Sequence, residues 1–154
     1  DHRDLHYPLR RQRQMCIRDR YVMAHFANIE ILYLEGKYDE ALKAAESAIL
    51  STKEPLYYGI KGVILGQMNR NEEAFVVINT LRDMSSRTNV SESLLSWIYY
   101  SIGDYGKTIE IMKESVGNKT FNTFIWDPRI HWKNLHDNAD FIKIFSDLGL
   151  PLKM

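Results

Sequence analysis

Apolar residues along this chain recur with the spacing of amphipathic helices, and short polar segments interrupt them at regular intervals. Between Val22 and Glu35 they fall at Phe26, Ile29, Leu32 and Tyr33, a spacing of three or four that places them on one helix face. The same spacing returns in five later segments, and we predict an all-α fold. The six predicted helices are 22–35, 38–50, 56–68, 72–84, 91–102 and 105–116.

One turn recurs between the two helices of each pair. Residues 36–41 (GKYDEA) return as 69–74 (NRNEEA) and as 103–108 (GDYGKT), so the small residues Ala41, Ala74 and Thr108 lie 33 and then 34 positions apart. A fixed period of about 34 residues, with a turn inside each unit, is typical of a helical repeat. Gly36 is expected to end the first helix with a positive φ.

Several positions predict local structure. Asp39 and Glu40 fall in the first turn of the second helix, where the helix dipole favours acidic residues. Pro55 opens the third helix, where its missing N–H costs little, and Asn71 is the expected cap of the fourth. The inward residues of that fourth helix are predicted to be Ala74, Phe75, Ile78 and Leu81.

Three glycines lie on one face of the third helix, and each costs about 1 kcal/mol against alanine. Close packing accounts for Gly62, which occupies a position where such repeats need a very small residue. For Gly59 and Gly66 we expect that a neighbouring chain or a ligand comes near.

The period ends after residue 119. An aromatic segment, Phe121–Trp126, precedes Asp127-Pro128, which predicts the start of a short helix that runs to about Leu135. Asp137 or Asn138 is expected to cap a last helix, which Gly149 ends. A terminal repeat needs such a cover for its outward face.

The N-terminal segment has a different character. Residues 10–20 (RRQRQMCIRDR) have no periodicity and resemble the in-frame translation of a transposase-type sequencing adapter. We therefore treat residues 1–20 as a non-native, disordered segment and expect the native part to begin within a longer protein. The alternative is a native basic arm that binds nucleic acid or an anionic surface.

This interpretation changes the charge and the available chemistry. The whole chain has formal net charge 0, with 20 basic and 20 acidic residues. Residues 1–20 hold six of the basic and three of the acidic ones, which leaves 14 against 17 and a net charge of about −3. The one cysteine, Cys16, also lies there, so we expect no thiol chemistry and no Cys-based metal site. No apolar run approaches the ~20 residues of a membrane span, and we expect a cytoplasmic protein.

Motifs that carry chemistry are weak. Gly106-Lys107-Thr108 resembles the end of a phosphate-binding loop, but Ser101 stands where the first glycine belongs and a helix precedes it. His131 and His136 are five positions apart, which does not place two metal ligands on one helix face. His25 is expected to be a hydrogen-bonded core residue. We predict no enzyme activity, no metal and no cofactor.

The repeated helix pairs resemble the tetratricopeptide (TPR) family of helix-turn-helix repeats. The residues that carry the resemblance are Gly36, Tyr38, Ala41, Ala45 and Ala48, then Tyr58, Gly62, Leu65 and Ala74, then Tyr99, Gly103 and Tyr105. The resemblance implies a right-handed superhelix of antiparallel helix pairs. It implies three repeats over 21–119 (about 21–54, 55–88 and 89–119) and a helical cap over 120–154. The tail is similar to the C-terminal ends of TPR regions in bacterial multidomain regulators.

The family likeness also implies a function. The first helix of each TPR pair lines a concave groove, whose positions here are Phe26, Glu30, Tyr33, Leu56, Val63, Gln67, Ser93, Trp97 and Tyr100. We expect a scaffolding module that binds a protein or peptide with apolar anchors, or another domain of the same protein. The alternatives are an RNA-binding helical repeat, which would need a basic groove, and a purely structural docking domain for a missing N-terminal domain. The aromatic residues have their own alternative: Trp97 and Tyr100 only pack against the cap, and a missing preceding repeat covers Phe26 and Tyr33.

Overall fold

The computed structural model describes residues 22–120 and 131–150, and within these ranges every regular element is helical. We number the α-helices in chain order. They are α1 (22–34), α2 (Tyr38–Thr52), α3 (Pro55–Gln67), α4 (Asn71–Ser85), α5 (Ser93–Ser101), α6 (Tyr105–Gly117) and α7 (Ala139–Asp147). A 3-10 turn, Lys133–Leu135, precedes α7. The all-α prediction is confirmed for these residues, and each of the six predicted helices begins and ends within two residues of the observed one.

The same hydrogen-bonded turn ends five of these helices. At each of them a residue with positive φ donates its N–H three positions back, and the next residue donates its N–H five positions back, at 2.8–3.1 Å. The positive-φ residues are Gly36, Asn69, Gly103, Lys119 and Gly149. These two hydrogen bonds give partners to carbonyl groups that a helix end otherwise leaves without one. The predictions for Gly36 and Gly149 are confirmed.

The chain divides into two compact units, Asp1–Tyr57 and Tyr58–Met154. In the first unit, the buried residues of α1 and α2 include Phe26, Ile29 and Ala45. The hydroxyl of Tyr57 donates to the main-chain oxygen of Val22 at 2.7 Å, which ties the end of this unit to the start of α1. Asp39 and Glu40 lie in the first turn of α2, as predicted.

In the second unit, the glycine face of α3 packs directly against α5. A Cβ on Gly59 would lie 2.8 Å from a methyl group of Leu94, and one on Gly62 would lie 2.5 Å from Ile98. At Gly66 the distance to the hydroxyl oxygen of Ser101 would be 2.1 Å. The expectation that another chain or a ligand approaches Gly59 and Gly66 was wrong, because side chains of α5 fill this space.

Two local predictions on α4 were also wrong. Arg70, not Asn71, precedes the helix as its N-cap residue and makes no side-chain capping bond; instead its guanidinium pairs with Glu73 at 2.6 Å. Phe75 is 45% exposed, whereas Val77 is 6% exposed. Because an α-helix has 3.6 residues per turn, Phe75 and Val77 lie on opposite sides of the face that Ala74 presents to the core. The orientation of α4 buries Val77 and exposes Phe75.

The C-terminal residues form a compact core on the same unit. Asn138 caps α7 by accepting a hydrogen bond from the N–H of Phe141 at 3.0 Å, so one of the two predicted caps is confirmed. The buried residues are Trp132, Leu135, Phe141, Ile144 and Phe145. Lys113 of α6 forms an ion pair with Asp140 of α7 at 2.9 Å.

Some predictions fall on residues outside the described ranges. They concern residues 1–20 with Cys16, the aromatic segment Phe121–Trp126, and the helix start at Asp127. The structure describes the C-terminal end of the helix predicted from Asp127 to about Leu135, and this end contains the 3-10 turn Lys133–Leu135. Among the described helices, none combines the length and the apolar character that crossing a bilayer requires.

Candidate functional site

The predicted groove residues of the first unit differ in their exposure. Phe26 is buried, at 8% exposure, whereas Glu30, Tyr33 and Leu56 are half-buried. The ring of Tyr33 contacts that of Tyr38 edge to face, with centroids 5.5 Å apart. Partial burial removes water from the carboxyl of Glu30 and raises its pKa. A partner that reached this unit would therefore contact Glu30, Tyr33 and Leu56 before Phe26.

The predicted groove residues of the second unit separate in the same way. Val63, Ser93 and Trp97 are buried, whereas Gln67 and Tyr100 remain partly exposed. Buried side chains of this kind stabilise the core and are not accessible to a partner without a rearrangement. The structure brings Gln67 and Tyr100 together, because both line one cleft.

We call this cleft the polar cleft. It has a volume of about 420 Å³, within the range of ~300–1,000 Å³ that is usual for small-ligand pockets. Its walls come from the ends of α3 and α5, the turn that follows α5, the start of α6, and the segment before α7. The lining residues are Gln67, Asn69, Tyr100, Ser101, Ile102, Gly103, Tyr105, His131, Lys133 and Asn134.

Asn134 organises the two tyrosines of the polar cleft. Its main-chain N–H donates to the hydroxyl oxygen of Tyr100 at 3.2 Å, and its side-chain amide donates to the hydroxyl oxygen of Tyr105 at 2.6 Å. The two tyrosine rings lie 5.5 Å apart, and Tyr100 also contacts Trp132 at 5.0 Å. Tyr100 thus packs against the C-terminal segment, and it also stays partly exposed in the polar cleft.

The polar cleft has few charged groups among the described residues. Of those that line it, Lys133 and His131 are basic and none is aspartate or glutamate. Burial raises the pKa of Tyr100; the hydrogen bond from the N–H of Asn134 opposes this effect, and the nearby Tyr105 adds to it. Tyr100 is therefore a neutral hydroxyl at physiological pH, able to donate a hydrogen bond.

The raised pKa of Tyr100 predicts a loss of stability in alkaline solution. The folded chain holds this proton more tightly than the unfolded chain, so the contribution is complete below the unfolded tyrosine pKa of about 10 and is lost as pH rises through the folded pKa. We expect the stability advantage of the wild type over Tyr100→Phe to shrink as the pH is raised from about 9 to 11. Urea unfolding at each pH measures this difference. A difference that is constant with pH would contradict the assignment, since the other tyrosines titrate in both proteins.

The remaining candidate motifs have structural roles. Asp104 caps α6 by accepting from the N–H of Lys107 at 2.9 Å, and Lys107 pairs with Glu110 at 2.7 Å. Thr108 is buried and donates to the main-chain oxygen of Asp104 at 2.8 Å. These residues form the turn between α5 and α6 and the start of α6; the element before them is a helix and not the strand that a phosphate-binding loop requires. In the described parts of the chain, no group of three His, Cys, Asp or Glu residues could hold a metal ion.

Of the lining residues of the polar cleft, sequence reasoning singled out only Gln67 and Tyr100 as site residues; the missed ones include Asn69, Tyr105 and Asn134. Asn134 lies in the irregular C-terminal segment and meets Tyr105 only through tertiary folding, across 29 positions. The sequence pattern assigns Asn69 only to a turn and Tyr105 only to a helix start. The available signal was the change from Gly36 and Gly103 to Asn69 at equivalent turn positions, because asparagine also tolerates positive φ and adds an amide.

Comparison with models of protein families, with curated proteins and with solved structures found no match to this chain.

Proposed function

We propose that this chain is a protein-interaction module made of three tetratricopeptide-type helix pairs, with α7 as part of a terminal cap. We further propose that it is the cytoplasmic C-terminal part of a larger bacterial regulatory protein that acts as a scaffold and catalyses no reaction. Its partner would be a protein or peptide with apolar anchors, including one in another domain of the same protein.

The contact between α3 and α5 carries this proposal. These two helices are the first members of consecutive pairs, and α4 separates them along the chain. At successive turns of α3, Gly59, Gly62 and Gly66 leave room for the side chains of Leu94, Ile98 and Ser101. Consecutive repeats that stack side by side bury such a shared surface and place their first helices in a row.

The repeated turns support the same interpretation. Gly36, Asn69 and Gly103 share a positive φ and the same pair of hydrogen bonds, and they are spaced by 33 and then 34 residues. The following helix begins two residues later at Tyr38, Asn71 and Tyr105. A period that holds in both sequence and backbone conformation is what a repeat protein requires.

The partly exposed members of the predicted groove are the candidates for binding. Glu30, Tyr33 and Leu56 in the first unit and Gln67 and Tyr100 in the second are accessible enough to contact a partner. Tyrosine is enriched among the residues that dominate binding energies. RNA is a weaker candidate, since a net charge of about −3 for residues 21–154 opposes the neutralisation of phosphates.

Selection of short random peptides displayed against the full chain tests the proposed function. We expect enrichment of peptides that carry Leu, Phe or Trp, and we expect Tyr33→Ala to weaken their binding by roughly tenfold, the effect of one strong anchor. Asn79→Ala, an exposed substitution on α4, is the matched control and should leave the affinity unchanged.

Two results would contradict the proposal. One is that no peptide is enriched over the unselected library. The other is tight binding of polyuridylic acid with a steep decrease of affinity as salt rises, which would indicate an RNA-binding protein.

A further inference from the structure

We propose that the polar cleft binds an extended peptide segment by its main chain, through the side-chain amides of Gln67, Asn69 and Asn134. This inference rests on the proposed function and assigns it a second site, since Asn69 and Asn134 are not among the predicted groove residues. The three amides come from different elements: Gln67 is the last residue of α3, Asn69 lies in the turn after it, and Asn134 lies in the 3-10 turn.

The chemistry of the lining matches a peptide main chain. A side-chain amide both donates and accepts hydrogen bonds, so it can pair with the N–H and with the C=O of the same peptide group. A main chain in an extended conformation presents both groups at every residue and carries no net charge. The described lining of the polar cleft is rich in side-chain amides and holds no carboxylate, so it offers groups complementary to a peptide main chain.

The tyrosines add two donors. The hydroxyl oxygens of Tyr100 and Tyr105 accept from Asn134, which leaves the O–H of each tyrosine to donate. These donors suit the carbonyl oxygens of a bound segment. Because Asn134 and the contact with Trp132 hold the Tyr100 ring in place, little side-chain freedom is lost when a peptide binds.

Recognition of the main chain makes a prediction that does not depend on the partner's side chains. The probe is N-acetyl-trialanine N-methylamide, which offers peptide groups but no apolar anchor. Added at millimolar concentration to the ¹⁵N-labelled full chain, it should shift the side-chain amide resonances of Gln67, Asn69 and Asn134. An ester analogue that lacks one central N–H should bind more weakly by up to roughly tenfold, because one acceptor of the cleft then receives no hydrogen bond from the bound segment.

Variants assign the binding to these residues. Asn134→Ala should reduce the affinity for the probe by roughly tenfold or more, and Gln67→Ala provides a second variant that leaves both tyrosine bonds in place. Asn118→Ala removes an exposed amide after α6, outside the lining, and should bind the probe as the wild type does.

Three results would overturn the inference: no shift of the cleft amides, equal binding of the ester analogue, or unchanged binding by both cleft variants. Each of these could occur while random peptides with apolar anchors still depend on Tyr33. The polar cleft would then not be a peptide site, although the proposed function would stand. If no random peptide is enriched and the probe also fails, both proposals are wrong.

Discussion

Replacing Gly66 by alanine is expected to destabilise the chain by about 2 kcal/mol. The new Cβ would lie 2.1 Å from the hydroxyl oxygen of Ser101, 2.8 Å from its Cβ and 2.9 Å from its main-chain carbonyl carbon. The hydroxyl can rotate away, but the main-chain atom moves only if α3 and α5 separate. Overpacking of this kind costs about 3 kcal/mol at the upper end of its usual range, and the higher helix propensity of alanine returns about 1 kcal/mol.

Gly106→Ala is the matched control for this prediction. Gly106 is also helical, but the nearest atom to an added Cβ is a carboxyl oxygen of Asp104 at 3.8 Å, which is ordinary contact. We expect this substitution to stabilise the chain by up to about 1 kcal/mol. Urea unfolding monitored by circular dichroism compares the two variants. If Gly66→Ala were as stable as Gly106→Ala, the close packing of α3 against α5 would be wrong, and with it the main support for stacked repeats.

Replacing Phe141 by alanine is expected to cost about 3–5 kcal/mol, the usual range for a buried phenylalanine. Its side chain is fully buried, with ring centroids 4.7 Å from Phe145 and 6.1 Å from Trp132. Because Trp132 also contacts Tyr100, the cavity opens next to the wall of the polar cleft. We therefore expect faster hydrogen exchange at Leu135 and Asn138, where α7 and the 3-10 turn meet, as well as a lower midpoint of unfolding.

Ile142→Ala, at the next position of α7, tests whether burial is the cause. Ile142 is 46% exposed, so its truncation should change the stability by no more than about 0.5 kcal/mol. Equal effects of the two substitutions would mean that α7 does not present Phe141 to a core. An unfolding transition of Phe141→Ala in which residues 131–150 melt separately would show that this segment is not part of the repeat core.

Predictions from the sequence were most accurate where the interaction joins residues that are close together along the chain. Gly36 and Asn138 were assigned correctly, since a turn with positive φ and a side-chain cap involve residues within five positions of one another. Asn71 was assigned wrongly because it is the first residue of α4 itself, so that Arg70 takes the N-cap position. Arg70 forms an ion pair with Glu73 in the first turn. Phe75 and Val77 could not be distinguished, because both are apolar and they border the face of Ala74, Ile78 and Leu81 on opposite sides.

The glycines of α3 illustrate a different limit of sequence reasoning. Close packing was predicted correctly at Gly62, whereas another chain or a ligand was wrongly expected at Gly59 and Gly66. The identity of the neighbour depends on how α5 lies against α3 after the turn and α4 have been placed. Leu94, Ile98 and Ser101 have no feature in the sequence that pairs them with Gly59, Gly62 and Gly66.

The sequence by itself determined the all-α class, the period of 33 to 34 residues and the ends of the helices, because each depends on hydrogen bonds and apolar spacing within a few residues. Only the tertiary structure decided which groove residues are buried and which are accessible. It also brought Asn134 to Tyr100 across 34 positions and so formed the polar cleft. No local pattern encodes such a contact, since its energy exists only after separate helices have packed.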